Sequence, residues 1–433
     1  MTERVYLHVG APKSGTTYLQ DVLETNRGRL ADHGVLVVGR RRVDLVHAGM
    51  AVREDPRLDH LPRRASTAWD RLVTEVEDWA GPVAVISYEL LAGATPEQAA
   101  KAVASLGDRE VHVVLTTRDL ARSLPSAWQE RLKFGLTTPL EQWTPPPARV
   151  VRSEWGWRTL DPAGVAARWG EVLPPARVHL VPVPRTGPHE ELWRRFAEAC
   201  SLQDVAVDPP AQRANTALGA AAAEVLRAVN EHVEAPVTGG RESARWLRDT
   251  LAEGVLAPLD DEPMTLTDAQ LAEAEQLWTE IRPTLAEAGY SVHGDLDEIA
   301  PERPEGTLPG STSTERRLEV AVAAIWELLL LLREARTAQE AHESPPEQEG
   351  SGPAPATGPR ALLRAVHDRP LQRRVDDLAE RVAVAQRTLA ESRQQQVRIG
   401  LLTDLVTELL LPDAERDDAA LERAVEHYRQ GIL

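Results

Sequence analysis

Residues 5–17 read VYLHVGAPKSGTT: an apolar, β-branched run that stops at a glycine and passes through a short polar turn. A helix-forming stretch, TTYLQDVLETNRGRLADHG, continues from the turn, with Gly34 as its expected stop. A buried strand that feeds a helix in this way is the first half of a crossover unit, and crossovers build parallel sheets covered on both faces. Three further runs read as buried strands, at Pro82–Tyr88, Val111–Thr117 and Arg177–Val183. Helical patterns lie between them at Ser66–Trp79, Thr95–Leu106, Leu120–Phe134 and Pro162–Val172. This alternation predicts an α/β, three-layer fold with a mostly parallel central sheet. Ligands of such sheets bind beyond the carboxyl ends of the strands.

The turn nearly matches the phosphate loop G-x-x-x-x-G-K-[ST]. Gly10, Gly15 and Thr17 fall where that pattern places them, but Thr16 holds the lysine position and Lys13 lies three residues early. A glycine-bearing turn aims backbone N–H groups into one concavity, and the helix N-terminus adds partial positive charge, so the turn favours anions. Lys13 contributes a full charge, and Ser14, Thr16 and Thr17 contribute hydroxyls. A triphosphate–Mg²⁺ complex needs a lysine after the second glycine and a carboxylate near a strand end. Neither is present: the strand at Val111 ends in Thr-Thr-Arg. The anion cradle is kept while the metal machinery is missing.

A second anion site follows. Arg118 stands at the end of the Val111–Thr117 strand, and Ser126 comes eight residues later on the next helix. A guanidinium fork and a hydroxyl so placed can converge on one phosphate. Two anion sites on neighbouring strand ends suit a nucleotide with phosphate at both ends of its ribose.

The PKSGTT loop followed by this Arg-x₇-Ser element resembles the sulfotransferases that use 3′-phosphoadenosine 5′-phosphosulfate (PAPS), and Val5 to about Ile299 is similar to bacterial members of that family. The resemblance implies a phosphate-loop-type fold. It gives Pro12, Lys13, Ser14, Gly15, Thr16 and Thr17 the 5′-phosphosulfate, and Arg118 and Ser126 the 3′-phosphate. It implies metal-free, in-line transfer of a sulfuryl group to a hydroxyl or amine. Tyr18 replaces the tryptophan of many members, and the Arg-Lys-Gly element of cytosolic animal members is absent, with Arg241 or Arg245 the candidates to replace it.

Lys13 is the expected electrostatic catalyst, because charge builds on the bridging oxygen of the leaving phosphate. Glu89, at the end of the Pro82–Tyr88 strand, is the expected general base, as several branches of the family use a glutamate there. His47 is its rival. His8 and His112 lie inside strands and read as packed histidines. Trp128, Trp143, Trp155 and Trp157 read either as core or as the wall of an acceptor cleft. Two other readings stand beside the transferase: a nucleotide kinase or hydrolase with an altered loop, and a non-catalytic nucleotide-binding scaffold with an assembly tail.

Helical patterns continue from Asn215 to about Tyr290, and GYSVHGDLDEI looks like a closing element of a main domain spanning 1–300. Residues 301–358 read as a linker region holding an apolar helix at about 315–340 and a Pro/Gly/Glu-rich stretch, and 359–433 as a helical tail. In that tail Leu371, Val375, Leu378, Val382, Ala385 and Leu389 step by four and three, a heptad series shorter than three to four heptads that reads either as an amphipathic helix folded onto its own neighbours or as a coiled coil joining copies into a homo-oligomer.

The net charge of −18 argues against nucleic acid as a partner. Cys200 is the sole cysteine, so no intramolecular disulfide can form. No stretch has the length of a signal peptide's apolar core or of a membrane span, and together these features predict a cytoplasmic protein.

Overall fold

A computed structural model describes residues 2–150, 154–210, 217–234, 237 and 240–343. Six strands form one sheet in the order β2-β3-β1-β4-β5-β6, with every neighbouring pair parallel. They are β1 (Arg4–Gly10), β2 (Val35–Val37), β3 (Val83–Ser87), β4 (Glu110–Thr117), β5 (Val178–Pro182) and β6 (Ser291–Val292). The helices are α1 (Thr16–Thr25), α2 (Arg27–Asp32), α3 (Arg42–Val52), α4 (Arg63–Ser66), α5 (Ala68–Glu77), α6 (Pro96–Ser105), α7 (Leu120–Leu132), α8 (Trp157–Leu160), α9 (Pro162–Gly170), α10 (Glu190–Ala199), α11 (Ala220–Asn230), α12 (Gly240–Ser243), α13 (Asp268–Glu287) and α14 (Thr314–Glu343). A π-helix, Ala244–Leu256, follows α12.

The two faces of the sheet sort by strand parity, as a period of two requires. Val5, Leu7, Val9, Ala84, Ile86, Val113, Leu115 and Leu180 bury one face against α5, α7, α9 and α11. Tyr6, Val83, Val85, Val114 and Val181 bury the other against Leu19, Val22 and Leu23 of α1 and Trp193 and Phe196 of α10. The result is the three-layer α/β arrangement expected from the alternation.

The four expected strands are all present. β2 and β6, at three and two residues, are too short to show as apolar runs. The helix expected to run unbroken to Gly34 stops at Asn26, whose buried amide donates to the carbonyls of Val22 and Asp208, both at 2.8 Å. A similar break at Thr67 splits the Ser66–Trp79 expectation into α4 and α5.

Met1–Ser344 forms one compact unit. The stretch after Pro301 packs onto it: Thr307 N–H donates to the Pro263 carbonyl at 2.9 Å, and Val320 and Ala324 of α14 are buried against the body. The heptad series Leu371–Leu389 and most of the Pro/Gly/Glu-rich stretch lie outside the described residues. No described helix is long and apolar enough to cross a membrane.

Candidate functional site

β1 is the central strand of the first crossover, and its carboxyl end delivers the turn 10–15 to the top of the sheet. The turn needs glycine at both ends. Gly10 has φ 130°, and a Cβ there would lie 2.4 Å from the Glu89 carbonyl oxygen. Gly15 caps α1 in the left-handed region at φ 78°. Between them Lys13 also takes a positive φ, 63°, which is uncommon for a residue with a Cβ. The backbone N–H groups of Lys13, Gly15 and Thr16 find no carbonyl acceptor among the described residues, so the turn presents donors at a helix N-terminus.

The side chains divide by direction. Ser14 is fully buried: its hydroxyl donates to the Ala11 carbonyl and lies 2.6 Å from the Thr116 hydroxyl. It braces the turn from beneath, which leaves its N–H as its contribution to an anion. Pro12 and Thr16 are buried, and Thr17 is exposed. Lys13 reaches across to α7, where its Nζ lies 2.9 Å from Glu130 Oε1. Glu130 also takes a bond from the buried Lys133 at 3.0 Å, and Lys133 reaches Glu253 at 2.8 Å. Burial pushes the Glu130 carboxyl up, but Lys13 and Lys133 outweigh it and hold it below the usual range. Sequence reading missed this cluster, since the Lys133–Glu253 contact spans 120 residues.

Arg118 follows β4 and donates to the Lys13 carbonyl at 3.1 Å, tying the second anion element to the first. Burial, followed by the neighbouring Arg122, shifts its guanidinium downward. Arg118, Arg122, Ser126 and Gln129 share the wall of a cavity of about 410 Å³ with Leu218 and Met264. The structure thus brings Arg118 and Ser126 to one cavity, while the Ser126 hydroxyl is bonded back to the Arg122 carbonyl at 3.2 Å.

Glu89 begins the turn after β3, and its backbone abuts Gly10. Its carboxylate accepts from Gln20 Nε2 at 2.9 Å. Gln20 also reaches the Ser87 hydroxyl at 3.3 Å, Ser87 lies 2.7 Å from His8 Nδ1, and His8 Nε2 lies 3.1 Å from Thr116. Gln20 Nε2 donates to Ser87, and the Thr116 hydroxyl lies 3.0 Å from the Gly10 carbonyl. Burial drops His8 to about 3, so the ring stays neutral, with one nitrogen donating and the other accepting. The packed histidine expected from the sequence is buried, and it also links Glu89 to the underside of the turn. Three polar residues on one sheet face, in three adjacent strands, were the available signal.

His47 is half-buried on α3 and makes no hydrogen bond to the turn or to Glu89 among the described residues. Trp128 and Trp143 are buried, with Trp155 and Trp157 packed against the same core. Arg245 lies over the ring of Trp246, 4.9 Å from its centre. No group of three or more metal-ligating side chains that could hold an ion occurs among the described residues.

Residues 369–432 match a domain of unknown function, DUF6752. No curated protein and no solved structure matches the chain.

Proposed function

We propose that the chain is a PAPS-dependent sulfotransferase with a phosphate-loop-type site, acting on a hydroxyl or amine acceptor in the cytoplasm. The observation that carries this reading is the glycine-bounded turn with Lys13 inside it, fastened by Arg118 to a cavity that Ser126 shares. The donor supplies an activated sulfuryl group on a phosphate bridge. The turn's free N–H groups and Lys13 offset the charge that collects on that phosphate as the bond breaks. Arg118, with Arg122 beside it, supplies cations for the far phosphate. Glu89, oriented by Gln20, takes the acceptor's proton. Self-association of the chain belongs to the same reading.

Lys13 is held by Glu130 in this structure, so it must exchange that carboxylate for the donor. A permanently closed pair would favour the non-catalytic scaffold instead. Following release of 3′,5′-bisphosphoadenosine from PAPS, with a panel of hydroxyl- and amine-bearing acceptors, separates the two. Release by the native chain is expected; nucleotide binding without release for any acceptor would favour the scaffold.

A further inference from the structure

α14 has two apolar faces, and the body covers one of them. Val320 and Ala324 turn inward and are buried. On the opposite side Leu318, Val322, Ile325, Leu329 and Leu332 step by 4, 3, 4 and 3, the spacing of a coiled-coil seam. The first four are 60, 53, 42 and 40 % exposed, and Trp326 beside them is 60 % exposed. A contiguous apolar row of this kind on a water-exposed helix marks an interaction surface. No described helix is long and apolar enough to cross a membrane, and α14 carries Glu319, Glu327 and Arg333 along this stretch.

We propose that this seam pairs with the same seam of a second copy, antiparallel, about a two-fold axis near Glu327. The spacing places Val322 and Leu329 at the a positions and Leu318, Ile325 and Leu332 at the d positions. Antiparallel packing about Glu327 sets Val322 against the partner's Leu332, and Ile325 against the partner's Leu329. The flanking e positions then oppose Glu319 to the partner's Arg333, twice by symmetry, with the two Trp326 rings meeting near the axis. A parallel pair loses this match. At each end of the antiparallel seam Leu318 faces the partner's Arg336, whereas a parallel pair places Arg336 against its own copy and sets Arg333 beside Leu328. The two Glu319–Arg333 pairs, which only the antiparallel arrangement makes, select a second copy as the occupant and fix its direction. The inference does not depend on the proposed activity.

Sedimentation equilibrium of the full chain tests it. Twice the 47.6 kDa chain mass is expected at micromolar concentration. The double variant Val322→Asp/Leu329→Asp changes exposed positions only and should be monomeric with unchanged circular dichroism. Glu319→Arg alone, or Arg333→Glu alone, should weaken the dimer by roughly tenfold, and the combined swap should restore it. A monomeric native chain overturns the proposal, whether residues 371–389 or a lipid surface covers the seam; flotation with phosphatidylcholine vesicles would identify the latter. A dimer untouched by the double aspartate variant overturns it too, and a combined swap no better than the single variants overturns the antiparallel register.

Discussion

The two ends of the sheet gather titratable side chains in opposite ways. Toward the amino ends of the strands His112, His179 and His293 form a ladder across β4, β5 and the residue after β6. Nδ1 of each of the first two faces Nε2 of the next, at 2.9 and 3.0 Å. Tyr6 packs on one end of it, and Glu110 and Glu198 lie 3.5 and 3.6 Å from the outer nitrogens, with Arg177 bonded to Glu110. Burial, then the neighbouring rings, lowers His179 to about 4, and burial lowers the other two, so the ladder is neutral at pH 7. At the carboxyl ends Lys13, Glu130, Lys133 and Arg118 surround a turn whose Lys13, Gly15 and Thr16 N–H groups find no carbonyl acceptor among the described residues. A cluster whose members pair with one another and become neutral is packing. A cluster that sets a cavity-lining guanidinium, Arg118, beside such a turn is a candidate site.

The sharpest way to break this contrast is Lys13→Ala. Turnover should fall by roughly 10²–10³-fold, the range for loss of one transition-state donor, while the urea midpoint stays within the error of the native value. Unchanged turnover would remove Lys13 from the chemistry.

Next in size is Gly10→Ala. Its Cβ would meet the Glu89 carbonyl at 2.4 Å on a backbone that side chains rarely adopt, so a loss of about 3 kcal/mol in chemical denaturation is expected. A neutral result would mean that the turn is not fixed by this contact.

The ladder predicts a pH effect of its own. His179 has a folded value below its unfolded one, so its stabilisation is complete above about pH 6.5 and is lost as the pH falls toward 4. Between pH 6.5 and 5 the native chain should lose about 2 kcal/mol through this residue, and His179→Gln should lack that part of the slope. Equal slopes would show that the ladder takes up protons without cost.

The smallest effect sharpens the other end. Glu130→Gln removes the carboxylate that competes for Lys13, and if that pair contributes about 1 kcal/mol, 3′,5′-bisphosphoadenosine should bind roughly fivefold tighter. Weaker binding would make Glu130 a support of the site instead.

Much of the fold was legible because β1, β3, β4 and β5 are buried on both faces and therefore read as apolar runs. β2 and β6 sit at the edges and are too short to show a pattern. The break at Asn26 could not be read locally, because its amide is satisfied by Asp208, 182 residues away. The site was legible where it is local: Gly10, Lys13 and Gly15 lie in one turn, and Arg118 and Ser126 bracket one strand–helix junction. It was not legible where folding joins distant elements. Glu130 meets Lys13 from 117 residues away, and His8 connects Ser87 with Thr116 only because β3 and β4 flank β1.

The proposed metal-free binding of a phosphosulfate nucleotide at the turn can be put to titration calorimetry of the full chain with 3′,5′-bisphosphoadenosine in EDTA. Saturable binding without Mg²⁺ is expected, weakened by Arg118→Ala and by Lys13→Ala. No binding in EDTA, together with Mg²⁺-dependent binding of ATP or GTP, would contradict it and point to a nucleotide kinase or hydrolase.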